Sequence, residues 1–215
     1  MATPSKQPKL TYEIDLIKEA TLFDHLPDEV QLKIFNLLGI EDIVHCAQVS
    51  KRTRRICNDE SIWEKINLYK KVVPSEFIDQ ILQKGCKYIN LESSEISGPL
   101  KLSRNDYNVK YLNLGHCNAG PGVLEKLISS CQSIRKLSLC NLCNLELNSN
   151  AVKSLSHKKL QTLDLNAFKE LNLEALTNIL SCKTLTEVSF DAIWGCKNLV
   201  QSVQYLVENL STGIY

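Results

Sequence analysis

The sequence lacks a long apolar run. Its hydrophobic stretches are short and interrupted by charge, so none is long enough to span a bilayer as a helix. It also lacks an excess of charge of either sign, with 25 Lys and Arg against 24 Asp and Glu. A net charge of +1 gives no electrostatic footprint for nucleic acid or for a membrane surface. The first ten residues hold Lys6, Lys9 and two prolines but no apolar stretch, so no secretory leader is expected. The expected compartment is then the cytoplasm, the nucleus or both, where thiols stay reduced. Nine cysteines, an odd number, fit a disulfide framework poorly and read as small buried hydrophobes.

Motifs of chemistry are equally sparse. Gly120-Pro121-Gly122 lacks the Lys and Ser/Thr of a phosphate-binding loop. Cys140-x-x-Cys143 has His116 and Cys117 one period earlier, but a zinc site needs four converging ligands and no second paired motif follows. Chance Cys–His pairs come easily here, and nothing marks an oriented base or an oxyanion hole. No metal, no cofactor and no catalysis are expected.

What the chain does have is a repeat. Val109-x-x-Leu112-x-Leu114 is followed by Ile134-x-x-Leu137-x-Leu139, Leu160-x-x-Leu163-x-Leu165 and Leu185-x-x-Val188-x-Phe190. A weaker copy, Cys86-x-x-Ile89-x-Leu91, precedes them. The last apolar residues of successive copies lie 23, 25, 26 and 25 residues apart. Alternation in the L-x-L part sends two apolar side chains to one face of a short strand. Between strands, helical spacing recurs in Phe77, Ile78, Ile81 and Leu82, in Leu124, Leu127 and Ile128, and in Leu176, Ile179 and Leu180. The third such region is short and offers only Val152 and Leu155. Leu199, Val203, Leu206, Val207 and Leu210 predict a last helix. One such unit cannot bury its apolar face alone, but stacked units can, forming a parallel sheet inside an arc. The expected fold is an α/β solenoid of about five leucine-rich repeats, with Cys117, Cys131 and Cys182 buried at its turns as in the cysteine-containing repeat class.

The same alternation selects the residues of the open sheet face as candidates for substrate binding: Tyr111, Asn113, Lys136, Ser138, Thr162, Asp164, Glu187, Ser189 and Asp191, with Tyr88, Asn90 and Glu92 in the weaker copy. The later strands lean acidic, which suggests a basic or polar substrate segment across them.

Residues 22–68 carry no such repeat and read as about three short helices. Asp24 is a candidate cap for the first, with Pro27, Asp28 and Glu29 near its positive end and Gly39 as its stop. Its apolar positions are Val30, Ile34, Leu37 and Leu38, beside Phe35. A second holds Ile43, Val44, Ala47 and Val49, and a third sets Lys51, Arg52, Arg54 and Arg55 beside Ile56. The basic run reads as a solvated helix face in preference to a nuclear-import patch. So many apolar positions on so small a unit suggest that some face a partner.

Leu26-Pro27-Asp28-Glu29, Ile34-x-x-Leu37, Ile43, Val49-Ser50-Lys51-Arg52 and Asp59-Glu60-Ser61-Ile62-Trp63 together resemble an F-box. With the repeats behind it, the chain resembles the F-box/leucine-rich-repeat proteins, and within them the S-phase-kinase-associated type. Members commonly carry an aromatic directly after Lys-Arg, where this chain has Thr53. The resemblance implies a non-catalytic subunit that binds the Skp adaptor of a cullin–RING (SCF-type) ubiquitin ligase and presents a protein substrate. It places Leu26, Pro27, Val30, Ile34, Leu37, Ile43 and Val49 on or behind the adaptor-binding face. The implied organisation is an N-terminal extension over 1–21, an F-box over 22–68 and repeats over 69–215. Two other functions stay open: a repeat scaffold that binds without a ligase, and a truncated competitor for the adaptor.

Overall fold

A computed structural model describes residues 23–142, 155, 159–167 and 182–189. Contacts divide the chain into two compact units, 1–62 and 63–215.

The first unit is helical. Helix α1 spans Asp28–Phe35 and starts from Pro27, with Asp28 and Glu29 facing the unpaired N–H groups of its first turn. Asp24 does not cap it. It ends at Phe35, and Gly39 is not its stop: Gly39 has φ −69° and is the N-cap of α2 (Ile40–Val49). Helix α3 (Lys51–Cys57) begins with a reciprocal capping box. Ser50 Oγ accepts from Thr53 N–H at 3.0 Å, and Thr53 Oγ1 accepts from Ser50 N–H at 3.0 Å. Thr53, where the family commonly carries an aromatic, is thus a buried helix-start residue here. A single turn, α4 (Glu60–Trp63), follows. Among the described residues the apolar core of this unit is Phe35, Ile43, Ile56, Cys57 and Ile62. The Phe23 ring leans on Phe35 with centroids 6.0 Å apart. Gln31 is wholly buried, and its Nε2 donates to Phe23 O and Leu26 O, fixing the segment that leads into α1.

The second unit is built on an open, six-stranded, all-parallel sheet whose strands follow chain order: β1 (Lys65–Asn67), β3 (Tyr88–Asn90), β5 (Tyr111–Asn113), β7 (Lys136–Ser138), β8 (Thr162–Asp164) and β9 (Glu187–Ser189). Every strand is in register with its neighbours, Ile66 beside Ile89 beside Leu112 beside Leu137 beside Leu163 beside Val188. The sheet has one strand more than the five repeat copies. Trp63-x-x-Ile66-x-Leu68 is the same pattern one period earlier, concealed in the sequence by its overlap with the F-box-like motif. Trp63 is buried, with Lys84 Nζ 4.3 Å over its ring.

A second, three-stranded parallel sheet lines up β2 (Val72–Pro74), β4 (Glu95–Ser97) and β6 (Asn118–Ala119). Helices α5 (Ser75–Gln83) and α6 (Val123–Ser130) follow β2 and β6. They bury Ile78, Ile81 and Leu82, and Leu124, Leu127 and Ile128, at the positions their spacing predicts. Gly122 starts α6 at φ +73°, a conformation that a side chain would strain. Leu155 is buried. Asp191, Phe190, Cys143, Val152, the helix predicted at Leu176–Leu180 and the last helix lie outside the described residues.

The repeat holds together by hydrogen bonds as well as by leucines. After each strand the first residue donates its N–H to the next strand's last carbonyl: Leu68 to Asn90, Leu91 to Asn113, Leu114 to Ser138, Leu139 to Asp164 and Leu165 to Ser189, at 2.8–2.9 Å. Two residues on, the chain turns through the left-handed region at Lys70, Ser93, His116, Asn141 and Ala167 (φ 49–56°). Non-glycine residues rarely adopt this conformation. The first four of these donate N–H to the next repeat's Glu92, Gly115, Cys140 and Asn166 carbonyls, so a costly backbone conformation extends the ladder past the strand ends.

Candidate functional site

Two surfaces carry the sequence-selected residues, one on each unit. On the helical unit Pro27, Val30, Ile34, Leu37 and Val49 are exposed and Leu26 is half-buried. Leu37 is 86% and Val49 77% accessible, well beyond what a self-sufficient core leaves out. Ile43 is the exception: at 1% accessible it is core, so it can only support such a face from behind. Leu38 and Val44 also stand exposed. Leu38 lies in the turn between α1 and α2 and Val44 on α2 beside the inward Ile43, and no spacing rule in the sequence separates them from inward positions.

The loop ahead of α1 is clamped by the basic helix. Arg52 Nε donates to Asp28 Oδ1 at 2.9 Å and its Nη2 to Leu26 O at 2.6 Å, and Arg55 also pairs with Asp28. The hydrogen bond from Arg52 holds the Asp28 carboxyl below its usual range, against slight desolvation and with help from the charges of Arg52 and Arg55. Arg52, half-buried, thus holds Leu26 and Asp28 in place with help from Arg55, while Lys51, Arg54 and Arg55 stay exposed on the helix face.

On the repeat unit the open sheet face has two rows. The first residues of the strands are Lys65, Tyr88, Tyr111, Lys136, Thr162 and Glu187. The Tyr88 and Tyr111 rings lie 6.4 Å apart, and Lys65 Nζ is 5.4 Å over Tyr88. The third residues are Asn67, Asn90, Asn113, Ser138, Asp164 and Ser189, and most are engaged. Oδ1 of Asn67, Asn90, Asn113 and Asp164 each accepts the backbone N–H two residues on, at 2.9–3.1 Å. Asn113 Nδ2 reaches Glu92, and Ser138 Oγ donates to Asp164 Oδ2 at 2.8 Å. Asn113, Ser138 and Asp164 thus hold the strand exits, leaving the first row as the more open one. Lys65 escaped the sequence reading because its strand did; its signal is Trp63-x-x-Ile66-x-Leu68.

Among the described thiols, Cys86, Cys117 and Cys140 are poor candidates for chemistry. Burial pushes Cys86 up to about 11 and Cys117 up to about 12, the reverse of what a nucleophile needs. Cys140 Sγ is 4.0 Å from His116 Nε2, yet burial, then Asp164 and Glu92, push that thiol up as well. Among the described residues no three His, Cys, Asp or Glu side chains converge as metal ligands, and Cys143 lies outside them. No helix among the described residues is long and apolar enough to cross a membrane.

A helical module followed by strands stacked in parallel at a near-constant period defines an α/β repeat protein with an appended helical domain. The F-box-like family model matches residues 23–69. The putative F-box/LRR-repeat protein 21 of Arabidopsis thaliana is 32% identical over 169 residues, covering 72% of this chain and 54% of that protein. The chain thus carries an F-box-like domain and is similar to an F-box/leucine-rich-repeat protein. It spans about half the length of that relative. F-box domains in general bind Skp adaptors in SCF complexes, and F-box proteins are in general non-catalytic adaptors.

Proposed function

We propose that this chain is a substrate receptor of an SCF-type ubiquitin ligase. The observation that carries the proposal is the exposure of Val30, Ile34, Leu37, Leu38, Val44 and Val49 on a unit whose described residues bury five apolar side chains. Docking on a Skp adaptor would cover that face and join the chain to a cullin–RING ligase. The first-row residues of the sheet, Tyr88, Tyr111, Lys136, Thr162 and Glu187, would hold a protein substrate. The strands would continue as a leucine-rich-repeat solenoid. The chain would do no chemistry itself but would raise the effective concentration of substrate beside a charged conjugating enzyme, in the cytoplasm, the nucleus or both.

Co-purification with the Skp adaptor tests this. Wild type is expected to bind stoichiometrically, and a Leu26→Ala, Pro27→Ala double variant to lose binding while circular dichroism shows the repeats still folded. A folded wild type that does not bind would return the chain to a ligase-independent repeat scaffold.

A further inference from the structure

The segment ahead of α1 is held mainly through its main chain. From Phe23 to Pro27 no side chain is buried: Leu26 is half-buried and the others are exposed. Beyond the Phe23–Phe35 ring contact, apolar packing gives this segment little to fix its shape. Its carbonyls are held instead. Gln31, wholly buried on α1, donates from Nε2 to Phe23 O at 3.0 Å and to Leu26 O at 3.2 Å. Arg52, on α3, donates from Nη2 to Leu26 O at 2.6 Å and from Nη1 to Asp24 O. Its Nε holds Asp28 Oδ1 at 2.9 Å. One guanidinium thus ties the Asp24 and Leu26 carbonyls to the first residue of the helix that follows.

We propose that Arg52 is a positioning residue for adaptor docking: it sets the Leu26–Pro27 turn in its docking shape before the partner arrives and does not itself touch the partner. The proposal rests on the reading that the helical unit docks on a Skp adaptor. A turn that leaves its apolar side chains free for a partner cannot use them to hold itself. Its shape then has to come from polar bonds to its main chain. Ordering the turn only on contact would cost conformational entropy at that moment, and a clamp made beforehand removes that cost.

Arg52 is itself well placed to act as a fixed point. Ser50 and Thr53 close their capping box on either side of it, and Thr53 is buried, so the base of the Arg52 side chain is set by the start of α3. Its guanidinium is planar and carries its donors in a rigid fork, which lets bonds to Leu26 O, Asp24 O and Asp28 be made together. A lysine ammonium is a single point charge on a flexible stem and cannot meet all of these acceptors at once. The Asp28 carboxylate, paired with Arg55 as well, anchors the guanidinium where it meets the turn.

The test uses the full chain as wild type, Arg52→Ala, Arg52→Lys and Lys51→Ala. Affinity for the purified Skp adaptor is measured by surface plasmon resonance, and backbone order of residues 23–26 in the free chain by 15N relaxation. Arg52→Ala is expected to bind at least about tenfold more weakly, with Arg52→Lys recovering part of the loss. Lys51→Ala, which removes only the neighbouring exposed cation, is expected to stay within about twofold of wild type. In the free chain both Arg52 variants are expected to gain fast motion at residues 23–26 and not across α2 and α3. A folded Arg52→Ala variant that binds like wild type overturns the proposal. Weaker binding with residues 23–26 as ordered as before also overturns it, since Arg52 would then be a residue the adaptor touches. An equal loss in Lys51→Ala would make the effect one of surface charge and overturns it too. Loosening that spreads through α2 and α3 would make Arg52 a general brace of the unit, again against the proposal. If Arg52→Ala does not fold, Arg52→Lys, which keeps the stem and the charge, decides on the same terms. A folded wild type that does not bind the adaptor ends the docking reading and the role of Arg52 with it, whereas a wild type that binds no better than the Arg52 variants ends only that role.

Discussion

The helical unit and the repeat unit dispose of their apolar residues in opposite ways. In the helical unit Phe35, Ile43 and Ile56 are buried, while Val30, Ile34, Leu37, Leu38, Val44 and Val49 are not. In the repeat unit the leucines of successive strands close over one another, and among the described residues the large apolar ones left exposed are Tyr69, Val72 and Tyr88. A repeat finds its partner in the next repeat, since each strand hands its N–H groups and its leucines to a copy of itself. Among the described residues the short helices α1 to α3 have no such neighbour in their own unit. What they leave open has to be covered by something else or tolerated.

The sharpest way to break this contrast is to truncate one leucine on each side of it. Leu112→Ala, at a fully buried central position of the sheet, should cost about 2–5 kcal/mol of stability. Leu37→Ala should cost less than about 0.5 kcal/mol. Chemical denaturation of both variants checks the pair, and equal losses would mean that Leu37 is internal to the fold. Thr53→Val comes next. It keeps the volume of a buried residue but removes the Thr53 Oγ1 half of the capping box, leaving the Ser50 N–H without that acceptor while Ser50 Oγ still accepts the residue-53 N–H, and should destabilise the helical unit by about 1 kcal/mol.

The smallest expected effect lies in the repeat unit and is read against pH. Partial burial would raise Asp79, but hydrogen bonds from the Ser103 hydroxyl and N–H, Tyr107 and Gln83 outweigh it and hold it at about 2. A lowered carboxyl stabilises above its unfolded value near 3.8, and that stabilisation is lost as pH falls from about 4 towards 2. Asp79→Asn should flatten the fall in melting temperature over that window and leave the helical unit's response unchanged.

How much of this was legible in the sequence follows from the same contrast. Strands β3, β5, β7, β8 and β9 and helices α5 and α6 could be read because each repeats a pattern whose copies support one another. The β2–β4–β6 sheet went unread: Val73, Ile96 and Ala119 recur at the period of 23, but each is a lone apolar residue without an L-x-L frame. Alternation correctly placed Asn113 and Asp164 on the sheet face, yet it could not show that their Oδ1 atoms are taken by backbone N–H groups two residues on. In the helical unit the motif located the helices, but Gly39 belongs to the helix after it, and Ile43 was grouped with exposed neighbours although it points inward. Short amphipathic helices give the period of a face without saying which neighbour covers it.

Amide hydrogen exchange of the full chain, with and without the purified Skp adaptor, tests most directly the claim that the helical unit's open face is completed by a partner while the repeats complete themselves. The account predicts added protection over residues 26–49 on adaptor binding and no change along the strands from Lys65 to Ser138. Protection that rises on the strands instead, or nowhere in a chain that remains folded, would contradict it.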